Sequence, residues 1–191
     1  MRPEREWGDA GEAALPRMTN FEALFIEHFE GIFRLLYRLT GSRDEAEDLA
    51  QETFLRCYRR QPEDRGSGLR PWLYRVALHL GYNAVRDRRR RRSGHRAARD
   101  SAAAVAAGDA LEDAARAEER RRVRRALEEL PLRQARMLLL RYAGLSYQEL
   151  AEAMSISPAS VGTLLRRAEA SFAKAYVRSA RPPAEGEGIH V

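Results

Sequence analysis

SRDEAEDLAQETFLRCYRR, residues Ser42 to Arg60, decides how the rest of this chain is read. Ser42 with Glu45 three residues on has the spacing of a capping box, which satisfies backbone N–H groups that a helix start leaves unpaired. The stretch is then apolar at helical period. Ala46, Leu49, Ala50, Thr53 and Cys57 fall on one stripe, with Phe54 at its edge. The opposite face carries Asp44, Asp48, Gln51, Glu52, Leu55 and Arg59. Its acidic end lies at the helix N-terminus, where the macrodipole favours negative charge. On this helix alone, an ordinary solvated surface and a docking face for another protein fit equally. The second reading rests on Leu55 and the flank of Phe54, apolar groups ringed by charge.

Upstream, Phe21, Leu24, Phe25, Phe29, Ile32, Leu35, Leu36 and Leu39 repeat at helical spacing, and Thr40-Gly41 supplies a stop. Ser42 follows at once, so these two helices are expected to pack as a hairpin. Downstream, QPEDRGSGLR reads as a loop. Pro71 suits the first turn of a third helix. That helix buries Leu73, Val76, Ala77, Leu80 and Ala84. Its far face shows Arg75, His79, Tyr82, Arg86 and Arg89, flanked by Trp72 and Asn83. Arginines interleaved with aromatic rings suit single-stranded DNA: guanidinium groups neutralise phosphate, and each stacked base contributes roughly 1–3 kcal/mol.

Charge is segregated along the 191 residues. Residues 1–64 carry net −5, residues 65–99 net +10 and residues 100–191 net +1, for a total of +6. An acidic front and a basic block predict two surfaces with two partners, one of them polyanionic. The single cysteine, Cys57, excludes an intrachain disulfide and any multi-cysteine zinc site. Four scattered histidines and no glycine-rich phosphate loop offer no catalytic constellation, so an enzyme is not expected, nor a cofactor or a small-molecule substrate. No apolar run reaches the length of a membrane span, and a cytoplasmic protein is expected.

The arginine run from residue 88 and the alanine tract that follows read as a basic, flexible tether. Beyond it, a charged helix with core positions Val123, Ala126, Leu127 and Leu130 is broken at Pro131. LRQARMLLLRYA makes a short apolar helix. Ser146 and Glu149 form another capping box, and Pro158 opens a last helix after the turn Ser155-Ile156-Ser157. Two helices across so short a turn have helix-turn-helix spacing. The second would bury Val161, Leu164, Leu165, Ala168 and Phe172 and present Ala159, Ser160, Thr163, Arg166 and Arg167 to a major groove.

DEAEDLAQETFLRCYRR, WLYR at Trp72–Arg75 and the block from Val123 to Phe172 together resemble the sigma-70 family of RNA polymerase sigma factors, in particular its small extracytoplasmic-function (ECF) members. The resemblance implies an all-α chain of two small helical domains. It places a leader at 1–18, sigma region 2 at 19–92, a linker at 93–110, sigma region 4 at 111–177 and a tail at 178–191. It implies that Asp44, Glu47, Asp48, Gln51, Glu52, Phe54 and Leu55 bind the clamp of core RNA polymerase. Trp72, Arg75, His79, Tyr82, Asn83, Arg86 and Arg89 would bind the −10 element, with the loop Gln61–Leu69 receiving a flipped base. Ser160, Thr163, Arg166 and Arg167 would read the −35 element while this domain also meets the polymerase flap. The chain departs from the family's usual residues at His79, Asn83, Ser155, Gly162, Leu164 and Glu169. A cognate anti-sigma factor is implied as a further partner. The rival reading is a stand-alone helix-turn-helix regulator binding duplex operator DNA.

Overall fold

The computed structural model describes residues 21–60, 68–94 and 110–179. The leader, most of the loop before the third helix, the 95–109 tether and the end of the tail lie outside them. Among the described residues the chain forms seven helices and no strand: α1 (Phe21–Thr40), α2 (Arg43–Arg60), α3 (Leu69–Gly94), α4 (Ala110–Glu129), α5 (Leu132–Tyr142), α6 (Tyr147–Met154) and α7 (Pro158–Ser179).

The α1–α2 hairpin turns on Gly41, whose φ of 73° is the left-handed conformation that a residue without Cβ adopts freely. Its N–H donates to the Tyr37 carbonyl at 2.9 Å. Ser42 caps α2 through its side chain, accepting from the Glu45 N–H at 3.3 Å. The reciprocal arm of the expected box is diverted, because the Glu45 carboxylate accepts from Arg88 at 2.7 Å. Arg88 also donates to the Thr40 carbonyl at 2.9 Å, so a second helix pins the turn. This corrects the reading of the arginine run as a tether from residue 88. α3 continues through it, because its first guanidinium closes the end of α1.

Helix α3 crosses α1 closely, at small residues. A Cβ on Gly31 would lie 2.3 Å from the Tyr74 hydroxyl oxygen, and one on Gly81 would lie 2.6 Å from Leu39 Cδ2. Ile32, Leu35, Leu36, Ala46, Ala50, Phe54, Cys57, Leu73 and Ala77 fill the space between α1, α2 and α3. Burial pushes the Cys57 thiol up to about 11, which leaves it protonated and unreactive at neutral pH.

The C-terminal helices build around a second core of Ala126, Leu130, Ala135, Met137, Leu138, Leu165, Ala168 and Ala175. Helix α6 starts with a complete capping box: Glu149 N–H donates to Ser146 Oγ at 3.2 Å, and Ser146 N–H to Glu149 Oε2 at 2.7 Å. It ends at Ser155, which is left-handed with φ 53°. A Cβ is unfavourable there, so Ser155→Gly is expected to stabilise the chain by about 1 kcal/mol, seen as a higher midpoint in urea unfolding. An unchanged or lower midpoint would mean that the turn relaxes differently in solution.

The two helical groups do not stand apart. Leu139, Leu140, Leu145, Leu150, Ala151, Ala153 and Val161 belong to the same continuous core as Ile32, Phe54 and Leu73, and α6 packs along α3. Helix α3 is therefore covered on two sides. Tyr74 and Leu78, which fall outside the stripe expected from its periodicity, are buried as deeply as Leu73 and Ala77, within a few per cent.

Candidate nucleic-acid and polymerase interfaces

The outer face of α2 holds Asp44, Glu47, Asp48, Gln51 and Leu55 in solvent. Leu55 is 40% exposed, an apolar side chain on a charged face. Glu52 is engaged by Arg56 at 2.8 Å, an i,i+4 pair. Phe54 does not share this face. It is 2% exposed, with its ring centroid 4.9 Å from Phe25, 6.0 Å from Phe29 and 6.4 Å from Phe21. Its position at the edge of the stripe left its flank open in the sequence reading. The phenylalanines of α1 close over it, because they lie on the side of α1 that meets α2.

Helix α3 divides the residues expected to share one face. Trp72, Arg75 and His79 line an open groove with Val76 and with Arg56, Arg59 and Arg60 from the end of α2. The three α2 arginines were not foreseen for this role. The available signal was the basic last turn of α2, which runs into the loop that leads back to α3. Asn83 lies 3.0 Å from His79 Nε2 through its amide nitrogen. This contact on the next turn of the helix fixes the orientation of the His79 ring. Tyr82, Arg86 and Arg89 turn instead toward the C-terminal helices. The Arg136 guanidinium lies 5.2 Å from the Tyr82 ring centroid, and burial pushes the Tyr82 phenol up to about 12. Arg89 pairs with Glu128 at 2.6 Å. Arg86 lines a cavity between the two helical groups with Arg38, Arg124 and Leu127.

In the helix-turn-helix, Ser160, Thr163 and Arg167 share a groove with Ser155, Ser157 and Arg133. Arg166 is exposed on α7 but does not line it. Arg133, at the start of α5, was not foreseen, since it is distant in sequence from the recognition helix. Gly162 is not required by packing: a Cβ there would meet Tyr147 Cε2 at 3.7 Å, an ordinary contact.

The α3 groove and the helix-turn-helix groove are joined by a third. It takes Arg75 and His79 from the first and Arg133 and Ser155 from the second, with Arg136 and Met154 between them. No carboxylate lines any part of this band among the described residues. Guanidinium groups along a groove with a half-buried indole, only Arg56 of them paired to a carboxylate among the described residues, are an electrostatic and stacking surface for a polyanion with planar bases. Among the described residues there is no cluster of metal-ligating side chains, and no helix is long and apolar enough to cross a membrane.

The family model for sigma-70 region 2 matches residues 24–91, and that for sigma-70 region 4 matches residues 120–171. The ECF RNA polymerase sigma factor SigE of Mycolicibacterium smegmatis is 30% identical over 159 residues, covering 82% of this chain and 60% of that protein. RNA polymerase sigma-H factor of Pseudomonas aeruginosa is 30% identical over 165 residues, covering 81% of this chain and 85% of the relative. RNA polymerase sigma factor YlaC of Bacillus subtilis is 28% identical, covering 84% and 94%. Two solved structures share the fold. One is the sigma factor RpoE in complex with the anti-sigma factor NepR from Bartonella quintana, with a TM-score of 0.58, 20% identity and coverage of 85% of this chain and 99% of that one. The other is CnrH in complex with the cytosolic domain of CnrY, with a TM-score of 0.62, 21% identity and coverage of 87% and 92%.

Proposed function

We propose, from the premise that this chain belongs to the sigma-70 family of RNA polymerase sigma factors and to its ECF branch, that it directs core RNA polymerase to promoters by dividing three tasks among three surfaces. The acidic face of α2, with Asp44, Glu47, Asp48, Gln51 and Leu55, docks on the polymerase clamp. Trp72, Arg75 and His79, joined by Arg56, Arg59 and Arg60, hold the opened −10 strand. Ser160, Thr163 and Arg167, joined by Arg133, read the −35 duplex. Tyr82, Asn83, Arg86, Arg89 and Arg166 contribute beside these: Asn83 orients His79, Arg166 stands exposed on α7, and Tyr82, Arg86 and Arg89 are available when the two domains move apart.

The observation that carries this reading is the segregation of charge in three dimensions, an acidic α2 face and a basic band free of carboxylates that runs through both candidate DNA-reading surfaces. Tethering two weak DNA contacts to one polymerase raises their effective concentration, so neither has to bind tightly alone. Such a protein works in the cytoplasm, with a cognate anti-sigma factor that masks these faces as its regulator. Its role is in binding and not in catalysis of its own.

Run-off transcription with core polymerase from the source organism, on genomic promoter fragments, tests the proposal. Starts at discrete sites that appear only with this protein are expected. Absence of such starts, together with tight binding of the free protein to a two-fold duplex operator, would establish the stand-alone regulator in its place.

A further inference from the structure

The cavity between the two helical groups has a charge balance that none of the three surfaces above requires. It encloses about 250 Å³ between α1, α3, α4 and α5. At ~30 Å³ for each water of the liquid, that is the volume of roughly eight waters. Much of its wall is aliphatic, with Leu39 of α1, Val85 of α3, Leu127 of α4 and Leu130 at the α4–α5 junction. Four guanidinium groups stand among these, on Arg38, Arg86, Arg89 and Arg124, against the carboxylate of Glu128 alone. Arg38, Arg86 and Arg89 reach solvent, so the charged side is the open one.

That carboxylate is already engaged, since Glu128 Oε2 lies 2.6 Å from Arg89. Arg38 donates to the Tyr142 carbonyl at 3.3 Å. Arg86 has Asp87, its neighbour in the chain, at 3.8 Å. Arg124 is half-buried and makes neither a hydrogen bond nor an ion pair among the described residues. Its guanidinium lies over the α1–α2 turn, where a Cβ on Gly41 would sit 2.9 Å from Cζ. Burial, foremost, lowers the Arg124 pKa, and Arg121 and Arg88 add like-charge repulsion. A half-buried cation without a partner costs stability until a counter-charge is supplied from outside the chain.

We propose that this cavity binds a small phosphate monoester with an apolar body. Guanidinium groups engage phosphate through paired N–H donors. A head carrying roughly −1.5 to −2 charge at neutral pH matches the groups that Glu128 leaves unneutralised. The aliphatic walls take up the body. Their side chains hold no donor or acceptor for the edge of a nucleobase, which favours an alkyl or aryl group over a nucleoside. Arg86 and Arg89 are also candidates for the −10 strand, so an occupant competes for them. That consequence rests on the function proposed above; binding itself does not, and is measured without DNA or polymerase.

The test uses the full chain and hexyl phosphate, followed by amide NMR at low salt. A dissociation constant of about 0.1–1 mM is expected for a ligand of this size, with shifts gathered at residues 82–89 and 124–135. Inorganic phosphate and hexanol, which carry the head and the body separately, should each bind at least about 10-fold more weakly. Arg124→Met keeps an unbranched stem and removes the charge. It should weaken hexyl phosphate about 10-fold, and the thermal midpoint of the unliganded chain should stay the same or rise, because no internal partner is lost. Glu128→Gln releases Arg89 and should tighten binding about threefold. Shifts centred instead on Trp72 and the α2 arginines would overturn the site. A nucleoside monophosphate that binds more tightly than hexyl phosphate would overturn the apolar body. Unchanged affinity in Arg124→Met would remove Arg124 from the site, and a lowered midpoint would make it a packing residue; either result overturns the proposal.

Discussion

Replacing Phe54 by alanine is expected to lower the stability of the chain by about 3–5 kcal/mol, the range for emptying a large aromatic site in a packed core. The ring is fully enclosed by Phe21, Phe25 and Phe29 of α1, and helices on both sides prevent collapse into the cavity. Against a typical total of 5–15 kcal/mol, such a loss threatens folding of the N-terminal helices at growth temperature. The thermal midpoint followed by circular dichroism should fall by roughly 6–20 °C, given about 2–4 °C per kcal/mol for a chain of this size. The neighbouring residue provides the contrast. Leu55→Ala removes a side chain that already meets solvent, and its stability should stay within about 0.5 kcal/mol of the unmodified protein. Equal losses at the two positions would contradict the orientation of α2.

The second large effect concerns binding. Asp48→Arg combined with Leu55→Ala should weaken the complex with core polymerase about 10–100-fold and leave the thermal midpoint nearly unchanged. Both side chains are exposed on α2, so neither substitution disturbs the core. Asp48 lies beyond the first helical turn, where the dipole no longer rewards its charge strongly. In the proposed docking mode the loss would arise at the interface, with Leu55 as the apolar centre and Asp48 as part of the complementary charge. Truncation of a central anchor commonly costs 2 kcal/mol or more, and charge reversal adds repulsion. Affinity measured by fluorescence anisotropy on labelled protein decides the matter. A double variant that binds polymerase normally would remove α2 from the docking surface.

These two predictions use adjacent residues that the sequence placed together on a candidate docking face. Leu55 lies on the face opposite the α2 stripe, and Phe54 lies at the edge of the stripe, where helical period alone leaves its flank within reach of either face. The α1 phenylalanines settle the question, because they occupy the side of the hairpin onto which Phe54 projects. A similar division runs along α3. Its period put Arg75, His79, Tyr82, Arg86 and Arg89 in one band, flanked by Trp72 and Asn83. The structure opens the N-terminal part to solvent and turns the C-terminal part toward Arg136 and Glu128. Arg56, Arg59, Arg60 and Arg133 joined the candidate DNA surface from other helices, which no local pattern links to Trp72 or Thr163.

What this sequence determined by itself is the set of helices, their order and the nature of their faces. The signals are local: Gly41 at a left-handed turn, the Ser146–Glu149 cap, Pro158 at a helix start, and apolar residues at 3.6-residue spacing. Each acts within a turn or two of chain, so each is legible in the order of residues. What only the tertiary structure decided is which neighbour covers which face. Residues 70 and 149, joined at 2.6 Å, are brought together by packing across the two domains. The burial of Leu78 depends on α5 and α6 lying against α3, and the basic band depends on three helices converging there. Helical periodicity gives the angle of a side chain about its own axis. It carries no information about what lies across the gap, and for this chain that determines which arginines are free to meet a phosphate.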